Sequence, residues 1–215
     1  MPHASNATLL AKTSEGGLVA YKPDQGEQPL WDFPHGTLAS REALTWQVSE
    51  AMGLGVIPKT VIVEGPYGRG SAQAFIDEDT STDSRTLVAD GPVDALWPFA
   101  ILDVVINNAD RKLGHILIQA DTGALWGIDN GLSFHHEDKL RTILWGFAGR
   151  SLPVEMSVHL ERFLVALEDG LWSQVAEILD MASADALERR TRELLATGIH
   201  PEPPEHRSAI PWPMW

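Results

Sequence analysis

Strand-like patterns in this chain are confined to its first 77 residues and to one short hairpin further on, and the remaining periodicity is helical. A doubly wound sheet needs strand and helix to alternate throughout, so that architecture is excluded. "ATLLAKT" and "GGLVAYK" read as two strands joined by the turn Ser14-Glu15-Gly16-Gly17. After a loop rich in Pro and Gly, "LASREALTWQVSEAMG" shows apolar spacing of three and four and stops at Gly53, a usual helix end. "KTVIVEG" and "SAQAFID" form a second hairpin around Pro66 to Gly70, and the polar "EDTSTDSRT" reads as a linker. The helix "PVDALWPFAILDVVINN" follows, then a hairpin starting at His115, then a helix-rich region from about 153 to 197. The order predicts an α+β chain: a β-rich lobe with one helix over 1–77, a linker over 78–92, a helical lobe over 93–200, and an irregular Pro/Trp-rich tail over 201–215.

Charge narrows the partners. With 30 acidic against 16 basic side chains and a net charge of −14, the surface repels phosphate backbones and anionic bilayers, so nucleic acid is not an expected partner. There is no cysteine, hence no disulfide and no thiolate nucleophile or ligand. No charged-then-apolar leader stands at the N-terminus, and the most apolar run, "LWPFAILDVVI", is broken by Asp103. A cytoplasmic protein without an integral membrane segment is expected.

Two groups of residues carry chemistry. "VAYK" closes the second strand on Lys22, and Glu42 follows twenty positions later on the helix opening "SREAL". Kinases use such a pair, in which a strand lysine grips the α- and β-phosphates and a helix glutamate holds the lysine. As single residues, Lys22 is a solvated strand end and Glu42 a first-turn acid favoured by the helix dipole. In "NNADRKLGHILI", Asp110 and His115 are five apart, the spacing between the catalytic Asp and the metal-binding Asn of H-R-D-L-x-x-x-N. Asp129 ends the next strand in "WGIDNG", where kinases carry Asp-Phe-Gly. Taken alone, Asp110 is a helix-stop residue and Asp129-Asn130-Gly131 a hairpin turn. The matches occur in kinase order, and the separate turn readings would have to coincide.

"NADRKLGHIL" with "GIDNGLSF" resembles the D-R-H-x-x-N and D-x-G motifs of phosphatidylinositol 3-/4-kinases. "YKPDQGEQPLWDFPHGTLASRE", "NNADRKLGH" and "KLRTILWGFAG" resemble an actinobacterial phosphatidylinositol 3-/4-kinase-like family, over about Ser5 to Trp212. The resemblance implies a two-lobed, atypical protein-kinase-like fold, ATP with Mg²⁺ or Mn²⁺, and transfer of the γ-phosphoryl group to an alcohol acceptor. Lys22 and Glu42 would serve the nucleotide, Asp110 the acceptor hydroxyl, His115 and Asp129 the metal. Arg111 and Lys112 would stabilise charge on the transferring group or hold the acceptor. His115 stands where other kinases use asparagine, and Lys112 where the lipid kinases use histidine.

Weaker positions complete the expectation. Ser5 and Asn6 lie where a phosphate-covering loop would be, with turn chemistry the equal alternative. Phe75, Ile76 and Asp77 fit the hinge that would bind adenine. His135 and His136 are expected to be ordinary solvated histidines, because no metal-ligand spacing supports them. Lys139 and Arg141 are basic residues beside the acceptor site or surface ion-pair formers. "PLWDFP", residues 29 to 34, is expected to plug the gap under the helix of Glu42. A soluble small-molecule alcohol, an inositol derivative or a protein hydroxyl suits the charge better than a phosphoinositide. A nucleotide-binding pseudokinase scaffold is the alternative function. A metal-dependent hydrolase is a third, without a ligand motif.

Overall fold

The computed structural model describes residues 8–81, 86–87 and 93–214. Strands β1 (Leu9–Lys12) and β2 (Leu18–Pro23) form the first hairpin. Thr13 closes it, its carbonyl accepting from Gly16 N–H and its hydroxyl from Gly17 N–H. Strands β3 (Thr60–Gly65) and β4 (Gly68–Ala74) form the second. Together they make an antiparallel sheet of order β1-β2-β4-β3. Gly70 on β4 faces Pro23, and a Cβ there would come within 2.3 Å of the Lys22 carbonyl oxygen. Only glycine permits that closeness.

Helix α1 (Leu38–Met52) connects the hairpins and lies on the sheet. Its preceding residue, Thr37, gives it no side-chain cap. Instead the Glu27 carboxylate accepts from Gly36 N–H (2.8 Å) and Leu38 N–H (3.1 Å), satisfying the helix N-terminus from eleven residues upstream. The helix ends at Gly53 (φ 78°), with Leu54 N–H returning to Ser49 O.

The second lobe is built on helix α2 (Trp97–Ile106), in which every residue but Pro98 is buried. A helix buried all round explains its unbroken apolar run. It packs on α5 (Met181–Thr197), and α3 (Val154–Ala166) packs on α1 and α5. A π-turn (Leu167–Leu171) leads into the short α4 (Trp172–Ile178). One core joins Leu44, Val48 and Met52 of α1 to Phe99, Leu102 and Ile106 of α2 and Phe163 of α3. The helix carrying Glu42 is thereby anchored to the second lobe as well as to the sheet.

The later hairpin is β5 (Ile116–Ile118) and β6 (Leu125–Gly127). His115 does not open the strand, as the β-branched pattern suggests, but closes a 3-10 turn over Leu113–His115. β4 likewise stops at Ala74 rather than continuing through Asp77. Backbone groups past that point turn to the end of β5 and the residues just after it: Ala120 N–H donates to Asp77 O (2.9 Å) and Asp79 N–H to Ile118 O (2.8 Å). The tail is irregular but firmly attached. Leu113 N–H donates to Met214 O (2.8 Å), and Ala209 O accepts from Thr142 N–H (3.1 Å) and from the Trp145 indole (2.8 Å). Among the described residues no helix is long and apolar enough to cross a membrane.

Candidate active site

Lys22, on the face of β2 toward α1, points its ammonium between two carboxylates. Its Nζ is 2.6 Å from Glu42 Oε1 and 3.0 Å from Asp129 Oδ1. Ser71, directly across from Lys22 on β4, donates to the other Glu42 oxygen (3.2 Å), so a buried carboxylate has both oxygens engaged. Burial alone would lower the Lys22 pKa, but Asp129 and then Glu42 outweigh it and raise the pKa above its ordinary value. In return Lys22, against the cost of burial, holds Asp129 well below the usual carboxylate range.

Asp129 follows β6 in the left-handed region (φ 57°), which re-aims its half-exposed carboxylate across the mouth of the hairpin. There Oδ2 lies 3.4 Å from His115 Nε2. Burial pushes His115 down to about 4, and the Asp129 carboxylate only partly opposes that, so the imidazole is neutral at pH 7. Asp110 lies at the same mouth with Lys112 Nζ 2.9 Å from its Oδ2. Burial raises the Asp110 pKa, and the Lys112 ammonium offsets only part of the rise. Lys22, Glu42, Asp110 and Asp129 border a cavity of about 110 Å³ between the lobes, lined also by Asp24, Glu27 and Leu30.

Arg111 is a correction. Expected at the transferring phosphoryl group, it is wholly buried and spends its guanidinium inward. It donates to Asp103 at 2.9 to 3.2 Å, to Asn130 Oδ1 at 2.6 Å and to Ile128 O at 3.1 Å. Asp103 also accepts from Asn108 (3.0 Å) and from the Thr142 hydroxyl (2.9 Å), and Asn108 Oδ1 in turn accepts from Asp110 N–H (2.9 Å). One buried network thus ties the residues following α2 to those flanking Asp129. Sequence reasoning assigned no role to Asp103, Asn107 or Asn108, and to Asn130 only a place in a turn. The available signal was a carboxylate interrupting an otherwise apolar helix.

Asn107 (φ 54°) ends α2 and organises the segment after Asp129. Its amide donates to His135 O (2.9 Å) and Glu137 O (2.6 Å), and its Oδ1 accepts from Lys139 N–H (3.0 Å). His135 is not solvated: it is buried, stacks on His136 at 4.5 Å and meets the edge of Phe33 at 5.5 Å. Lys139 is engaged by Asp32 (3.4 Å), by Glu137 (3.2 Å) and by the exposed Trp31 ring (4.9 Å). The stretch 29–34 therefore does more than fill space under α1. Phe33 packs with Leu38 and Ala109, while Asp32 and Trp31 clamp the later segment.

The structure thus brings together Lys22, Glu42, Asp110, Lys112, His115 and Asp129. Phe75, Ile76 and Asp77 lie apart, where the chain crosses between the lobes. Phe75 N–H is taken by Leu18 O (3.1 Å) and Asp77 O by Ala120. Ser5 and Asn6 lie outside the described residues.

Residues 51–157 match the model of the family Phosphatidylinositol 3- and 4-kinase. The chain is similar to Protein Rv2133c of Mycobacterium tuberculosis, 37% identical over 98% of this chain and 88% of the relative. It belongs to the phosphatidylinositol 3-/4-kinase-like family. Among solved structures, the Helicobacter pylori proinflammatory kinase CtkA matches 92% of this chain and 89% of its own, with a TM-score of 0.55 and 12% identity. That likeness establishes a kinase fold in this member of the family, and the family is one of phosphotransferases. In the frame of that fold, Lys22 and Glu42 face each other between sheet and helix, while Asp110, His115 and Asp129 gather on the helical side.

Proposed function

We propose that this protein is an ATP- and divalent-metal-dependent kinase that transfers the γ-phosphoryl group to an alcohol acceptor. The observation that carries the reading is the Lys22 ammonium held by Glu42 and Asp129 at the mouth that also contains Asp110 and His115. Lys22 binds nucleotide phosphate, and Glu42 keeps it aimed. The raised Asp110 carboxyl orients the acceptor hydroxyl and takes its proton, a task suited by a more basic carboxylate. Lys112, beside Asp110, supplies positive charge toward the transferring group.

The residues present fit a kinase metal. Asp129 offers an ionised oxygen and His115 a neutral ring, and no group of three or more His, Asp or Glu ligands exists among the described residues. Two protein ligands suit Mg²⁺ or Mn²⁺ in this setting, because nucleotide phosphates and water complete the shell. When bound, the metal neutralises charge on the β- and γ-phosphates. Adenine would meet the crossing segment Phe75, Ile76 and Asp77.

The acceptor side favours an alcohol without phosphate groups. Beside Lys22, which the nucleotide takes, Asp24, Glu27, Glu42, Asp110 and Asp129 border the cavity, and Lys139 is committed to Asp32, Glu137 and Trp31. A soluble polyol or a protein hydroxyl in a cytoplasmic setting suits this better than a phosphoinositide. The test is intact mass and ADP release after incubation with ATP and Mn²⁺ or Mg²⁺. Addition of one phosphate to the protein or to a supplied polyol supports the kinase. Saturable nucleotide binding without turnover supports the pseudokinase scaffold instead.

A further inference from the structure

A second cavity, of about 580 Å³, lies away from the catalytic mouth, between α5, the tail and residues 136–140. Its size is in the range of small-molecule sites, commonly about 300 to 1,000 Å³. Val104, Leu140, Leu194, Ile199 and Pro201 give it an apolar body. Against that body stand Arg189, Arg190 and Arg207, three of the 16 cations of a chain with net charge −14.

Two of these arginines are incompletely bonded. Arg190 donates to Val105 O (3.1 Å) and His135 O (3.2 Å), its Nη2 has no partner, and it has no carboxylate in ion-pair range among the described residues. Arg207 donates to Leu140 O (2.8 Å) and pairs with Asp138, and its Nε has no partner among the described residues. The lining acids do not make up the difference. Asp138 is occupied by Arg207, Glu193 by Arg189 at 3.6 Å, and Glu202 lies over Gly149. A buried guanidinium N–H without an acceptor is costly, and native proteins keep few.

We infer that this cavity binds a small acidic molecule with an apolar body, whose carboxylate or phosphate monoester pairs with the guanidinium groups of Arg190 and Arg207 that line it. The apolar walls take the hydrocarbon, and the charged-donor geometry suits an oxyanion. Occupancy has a direct structural consequence. Arg190 also holds His135, and Arg207 holds Leu140 and Asp138, all in the segment after Asp129. An anion drawing on both arginines braces that segment from behind. The inference concerns binding and does not depend on phosphoryl transfer.

The test uses the full chain and the fluorescent anion 1-anilinonaphthalene-8-sulfonate as probe. One saturable site is expected, emptied by decanoate or decyl phosphate and far less by decanol or decyltrimethylammonium. Whichever anion displaces better identifies the headgroup. Arg190→Gln should weaken the probe about tenfold or more, the loss expected for a charged hydrogen bond. Thr197→Trp, which adds bulk to the cavity from an uncharged lining position, should abolish binding while the thermal melt stays near wild type. It decides the matter even if Arg190→Gln fails to fold. Equal displacement by decanol, or unchanged probe binding in Thr197→Trp, overturns the site.

Discussion

Arg111 lays its guanidinium against both carboxylate oxygens of Asp103, at 2.9 to 3.2 Å, and neither side chain has exposed surface. Removing one partner would strand the other charge in the interior. Arg111→Met is therefore expected to cost about 3–5 kcal/mol of stability. Urea unfolding at constant slope measures it. A variant as stable as wild type but unable to turn over would return Arg111 to the phosphoryl group.

The Lys22–Glu42 contact at 2.6 Å, twenty residues apart in sequence, makes a coupled pair. Lys22→Ala and Glu42→Ala are each expected to weaken nucleotide binding, and the double variant to be little worse than the worse single one. Calorimetric titration with an ATP analogue closes the cycle. Fully additive losses would mean that the two residues act separately.

Asp110→Asn should leave folding and nucleotide affinity near wild type, since the buried network reaches Asp110 through its backbone N–H. Turnover should fall by about 10² to 10⁴, the usual worth of a general base. A variant retaining more than half the wild-type rate would remove Asp110 from the acceptor hydroxyl.

His115 gives a pH signature of its own. Its pKa is pushed down to about 4 in the folded chain, against a reference value of 6.5. Between those values the unfolded chain carries a proton there and the folded chain does not, so stability falls as pH falls from 6.5 toward 4. The contribution is about 3 kcal/mol over that window. His115→Asn should flatten the acid decline of the melting temperature. It should also raise the use of Mg²⁺ relative to Mn²⁺, because an oxygen ligand suits the harder ion. Melting curves at several pH values read the first effect, and turnover ratios read the second. Unchanged curves and unchanged ratios together would place His115 outside both roles.

Much of this architecture was legible in the chain itself, because short-range physics writes it there. The spacing of apolar residues marked α1 and its stop at Gly53, where a positive φ favours glycine. The paired strands and the order Lys22, Glu42, Asp110, His115, Asp129 pointed to a kinase fold before any contact was known. Tertiary structure alone decided where polar groups spend their hydrogen bonds. Arg111 reads as a substrate-facing cation until Asp103, on a buried helix, claims it. His115 reads as the first residue of a strand until its backbone closes a turn. Glu27 lies in a loop, yet it caps a helix eleven residues on. Periodicity records which residues avoid water. Which donor meets which acceptor across 30 or 100 residues depends on how the buried helices bring the loops together, and no local pattern carries that information.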